Sequence, residues 1–128
     1  TEWSAPVNLG PPINSQYVDA CMSISKNGLS LYYAAYRPFP VGVGSWDLYV
    51  SKRATVNDPW GMPVLVPNVN SIYQETCPAL SPDEHRLYFA SNQPGGCKNA
   101  LITSRCPFPD SRGPGGDHRL SGAGPLLC

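Results

Sequence analysis

The chain has 128 residues, nine Lys plus Arg against nine Asp plus Glu, and only 14% charged residues. That length suits one ordinary domain. The charge balance excludes the basic excess of a nucleic-acid-binding face and the polybasic stretch of a membrane-surface segment. Fifteen prolines and 12 glycines argue against a helical bundle, and no apolar run approaches the ~18 residues of a membrane span. The start Thr1, Glu2, Trp3 lacks a basic-then-apolar signal layout. That start is expected of a chain whose leader was removed or which begins inside a longer protein. In chain order, residues 3–9 read as a strand, followed by strands at 22–25, 31–36, 47–53 and 60–66. The run Leu31, Tyr32, Tyr33 suits a pleated, half-buried surface, and 47–53 alternates apolar and polar residues. Further strands follow at 78–81, 87–91 and 100–105. Lys26, Asn27, Gly28 and Pro82, Asp83, Glu84 supply tight-turn chemistry before the aromatic strands. No window holds a 3.6-residue apolar period, so no helix is expected.

These elements repeat. Trp3, Pro6 and Val7 return as Trp60, Pro63 and Val64. After a one-residue gap, Asn14, Ser15, Tyr17, Asp19 and Cys21 return as Asn70, Ser71, Tyr73, Glu75 and Cys77. Leu31, Tyr32, Tyr33 and Ala34 answer Leu87, Tyr88, Phe89 and Ala90. Each repeat is four short strands in one order, which defines the unit of the fold.

Ser81, Pro82, Asp83, then Leu87 to Asn92, then Pro94, Gly95, Gly96 resemble the signature of TolB-type WD-like β-propeller repeats, and Asp47 to Arg53 resembles its later half. Glu84 and the segment 39–43 depart from the pattern. The resemblance implies an all-β fold of two four-stranded antiparallel propeller-type blades, about 3–59 and 60–106. It also implies a binding platform in a bacterial periplasmic or secreted protein. The second blade lacks its outer strand, and 3–9 is an orphan outer strand. Two blades do not close a ring, since propellers use roughly four to eight. The expectation is therefore a partial propeller within a longer chain, or a ring completed by homo-oligomerisation. Residues 107–128, rich in Pro and Gly without alternation, read as a flexible tail.

Five cysteines carry no Cys-x-x-Cys, and His85 and His118 lie far apart, so neither a zinc site nor another metal or cofactor is expected. Cys21 and Cys77, at matching points of neighbouring blades, are expected beyond the ~7 Å Cα limit for a disulfide and are read as small buried fillers. Cys97 and Cys106 stand at opposite ends of one strand and are not expected to bridge. Cys128 is expected to be free or intermolecular. Asp19 and Glu75 recur, which favours turn anchors over catalytic groups. Asp83 to Arg86 reads as a solvated turn tip, and no Gly-x-Ser-x-Gly, phosphate loop or His-Glu-x-x-His occurs.

The expected function is non-enzymatic binding of a protein or envelope component. Its alternative is a fragment of a propeller-fold glycan hydrolase or lyase, which needs a spaced pair of carboxylates. Only Asp19, Asp47 and Glu75 lie near the appropriate face. Alternate loops of a meander emerge at one end, which collects Tyr17, Asp19, Arg37, Trp46, Tyr73, Glu75, Asn92 and Lys98. Aromatic and Arg side chains most often anchor interfaces, so Arg37 and Trp46, with Tyr17 and Tyr73, are the candidate binding residues. The opposite end offers Lys26, Asn27, Asp83 and His85.

Overall fold

A computed structural model of the chain describes residues 2–94 and, as backbone alone, the strand Ala100–Arg105. It is all-β, with no helix among the described residues. The strands are β1 (Val18–Ile24), β2 (Ser30–Tyr36), β3 (Asp47–Lys52), β4 (Val64–Leu65), β5 (Glu75–Leu80), β6 (Arg86–Ser91) and β7 (Ala100–Arg105). They form two antiparallel sheets in the orders β1-β2-β3-β4 and β5-β6-β7.

The two hairpin turns use one device. Ser25 donates its hydroxyl to Asn27 Oδ1 (2.7 Å) and accepts the Ser30 N–H (2.9 Å). Ser81 likewise donates to Asp83 Oδ1 and accepts the Arg86 N–H (3.0 Å). The turn then needs a left-handed residue. Gly28 supplies it at φ 73° and Glu84 at φ 59°, the second at a steric cost that glycine avoids.

The two faces of the first sheet bury different partners, as the period of two requires. Leu31, Tyr33 and Ala35 of β2 pack with Tyr49 and the fully buried Ile13. Tyr32 and Ala34, on the other face, join Leu48, Val50 and Val66 with Leu87 and Phe89 of β6. This second cluster seats one sheet on the other. Val69, the counterpart of Ile13, packs against it.

Two expected strands differ. Residues 3–9 form no strand, and Trp3 is 98% exposed. An outer strand exists only beside an edge that pairs with it, and residues 3–9 pair with none among the described residues. The span 60–66 narrows to Val64–Leu65, paired to Val50 and Tyr49. Trp60 instead stacks under the Arg53 guanidinium at 4.2 Å, and Ser51 bonds the Gly61 carbonyl at 2.6 Å. Those contacts hold the segment against β3 without a ladder.

The cysteines differ most. Cys21 and Cys77 are exposed, and their Sγ atoms are 2.8 Å apart; they are neither buried fillers nor out of reach. Each sits in a β-bulge, with Cys21 and Met22 opposite Tyr33 in one sheet and Cys77 and Pro78 opposite Phe89 in the other. A bulge re-aims a side chain, and these two aim at each other where β1 and β5 lie side by side. Cys97, Cys106, Cys128, Lys98 and the segment 107–128 lie outside the described residues.

Candidate functional site

The β2–β3 loop and the linker into β5 meet at one end of the two sheets. Trp46 bridges Gln74, and the Glu75 N–H bonds the Trp46 carbonyl at 2.9 Å. Asn92 joins them, its Oδ1 accepting the Gln74 N–H at 2.8 Å. Gly44 makes the meeting possible, because a Cβ there would stand 2.2 Å from the Tyr73 carbonyl oxygen.

The carboxylates at this end are engaged. Asp19 accepts the Ser15 N–H and hydroxyl, both at 2.8 Å. Glu75 repeats this with Ser71 (3.0 and 2.6 Å) and also accepts the Ser91 hydroxyl at 3.1 Å. Asp47, fully buried, accepts the N–H groups of Val43 (2.9 Å) and Gly44 (3.1 Å). Burial pushes the Asp47 carboxyl above its ordinary range, and those two N–H bonds oppose the shift. All three carboxylates therefore hold loops.

Arg37 is turned inward. Its side chain is 11% exposed, with Nη2 3.4 Å from Asp19 Oδ1 and 3.0 Å from the Tyr33 hydroxyl. The guanidinium lies over the Tyr49 ring at 4.3 Å, and its Nε is buried without a hydrogen-bond partner. Burial lifts the Tyr33 hydroxyl to about 12 despite the nearby Arg37 charge, and lifts Tyr49 too. Trp46 is half-buried, edge-on to Tyr36 at 6.1 Å and packed against the shared core. Tyr17 and Tyr73 are exposed, each donating its N–H to a serine hydroxyl two residues earlier (3.1 Å).

The structure thus brings the four residues singled out from sequence to one end, but only the tyrosines present open surface there. Four apolar residues accompany them: Phe39 (86% exposed), Val41, Val43 and Ile72 (76% exposed). None was singled out from sequence, although the signal existed. A turn written Pro38, Phe39, Pro40, Val41 is apolar where turns are usually polar.

At the opposite end Lys26, Asn27, Asp83 and His85 are all exposed, with Ile24 exposed beside them. A shallow cleft between its turns is lined by Ile24, Lys26, Leu80 and Glu84, and the Glu84 carboxylate accepts the Lys26 N–H across it. Among the described residues no three His, Cys, Asp or Glu gather as metal ligands, and no helix is long and apolar enough to cross a membrane. Compared with protein-family models, with curated proteins and with solved structures, the chain matches none.

Proposed function

We propose that this chain is a non-enzymatic β-propeller module of the TolB-like kind. On this reading it binds a protein or envelope component in the bacterial periplasm or outside the cell. The observation that carries it is the apolar loop end, where Phe39, Val41, Ile72 and Tyr73 face solvent on two interlocked loops. Exposed apolar groups clustered on a rigid support mark interaction surfaces. The duplicated bulge, turn and carboxylate anchor support the blade reading. Two sheets fall short of the roughly four to eight blades of known propellers, so further repeats or further copies would complete a ring. Residues 3–9 would then pair beside the β7 edge of a neighbour.

The engagement of Asp19, Asp47 and Glu75 with loop backbone and serine hydroxyls favours this reading over a glycan hydrolase or lyase. The test is retention of solubilised bacterial envelope components on the immobilised protein, followed by affinity measurement for the retained component. Phe39→Ser and Ile72→Ser are each expected to weaken binding about tenfold or more, roughly 1.4 kcal/mol, with His85→Ala unchanged. No retained component, or equal weakening by His85→Ala, rejects the assignment. Arg37→Ala and Trp46→Ala are expected to act through the loops they hold.

A further inference from the structure

The first strands of the two sheets meet at a pair of cysteines that the loop end does not use. Cys21 and Cys77 occupy equivalent bulges at φ 50° and 51°. That region suits glycine and costs any residue with a Cβ. The same strained backbone under the same side chain in both repeats points to a use for the side chain. The two side chains converge, with Sγ atoms 2.8 Å apart and both residues open to solvent. A disulfide closes at about 2.05 Å, a movement of well under an ångström. Two thiolates on one tetrahedral metal would instead stand about 3.8 Å apart, given bonds of about 2.3 Å.

We propose that Cys21 and Cys77 form a disulfide that cross-links β1 to β5 and fixes the two sheets to each other. Two S–H bonds break and one S–S bond forms. The two electrons and two protons pass to a disulfide oxidant, which leaves as two thiols after a mixed-disulfide intermediate. The bond closes a loop from residue 21 to residue 77, which holds β2, β3, β4 and the rest of β1, and so constrains the unfolded chain. The exposure of both residues leaves the bond open to reduction, as exposed disulfides generally are.

The test uses the full chain carrying Cys97→Ser, Cys106→Ser and Cys128→Ser, so that only this pair remains, incubated with oxidised glutathione and then alkylated. The expected product is a monomer lighter by two hydrogen atoms, with no thiol left to alkylate and with peptides joined through Cys21 and Cys77. Its unfolding midpoint should exceed that of the reduced protein by roughly 10 °C or more. Adding Cys77→Gly, which the left-handed position accepts, should retain the β-sheet signal, leave Cys21 unlinked within the chain and abolish the shift. Two alkylatable thiols after oxidation, two glutathione adducts, or a dimer linked between chains would overturn the proposal.

Discussion

Residues 3–14 and 60–70 share one pattern, a Trp, a Pro and a Val followed by an Asn, and end in opposite surroundings. Trp60 lies under Arg53, Val64 and Leu65 pair with β3, and Asn70 joins the ladder through its side chain. The Asn70 amide accepts the Leu48 N–H at 2.6 Å and donates to the Leu48 and Val66 carbonyls. Trp3, Val7 and Leu9 are exposed, and Asn14 is exposed beside the Gly10 turn. Only Ile13 of the first segment is buried, as a plug in the core. The lesson is that an outer-strand pattern becomes an outer strand only against a partner edge, because so short a strand has little stability of its own.

The largest expected effect tests how far the second repeat depends on the first. Leu87 is fully buried in the cluster that joins the sheets, so Leu87→Ala should cost about 2–5 kcal/mol in urea unfolding. A loss under ~0.5 kcal/mol would mean that the sheets are not seated on each other.

A second difference lies between Tyr33 and its counterpart Phe89. The Tyr33 hydroxyl is lifted from 10.0 to about 12, so the fold favours its neutral form. That contribution is complete below pH 10.0 and is lost as pH rises through about 12. The loss should reach about 2–3 kcal/mol. Tyr33→Phe, which copies the second repeat, should flatten stability against pH in that window, apart from the part due to Tyr49. An unchanged alkaline loss in the variant would place its origin elsewhere.

The paired asparagines give the third test. Asn70→Ala should destabilise by about 1–3 kcal/mol, since it strips partners from the Leu48 backbone. Asn14→Ala should stay within ~0.5 kcal/mol. Equal costs would show that residues 3–14 hold an equivalent place in solution, as a ring completed by further copies requires. The smallest effect concerns the turns. Gly28→Ala should cost about 1 kcal/mol, because φ is 73° and its Cβ would meet Val56 Cγ1 at 3.3 Å. Glu84→Gly should change stability by less than that, since relief of the backbone offsets the lost acceptor for the Lys26 N–H.

Sequence by itself determined the all-β class, the positions of six of the strands to within a few residues, and the two tight turns before the aromatic strands. It also marked Asp19 and Glu75 as recurrent turn anchors. These rest on short-range chemistry, namely a period of two and side chains that bond backbone two to five residues away. Tertiary structure decided the rest. Residues 3–9 lack an edge to pair with. Arg37 turned inward because Tyr33, Tyr49 and Asp19 together enclose its guanidinium, leaving the open surface to Phe39 and Ile72. Cys21 and Cys77 met because two bulges, in strands whose sequences are 56 residues apart, aim at one point. Such a meeting depends on how the second sheet seats on the first, through Leu87 and Phe89 against Tyr32 and Val50. No local pattern encodes that distance.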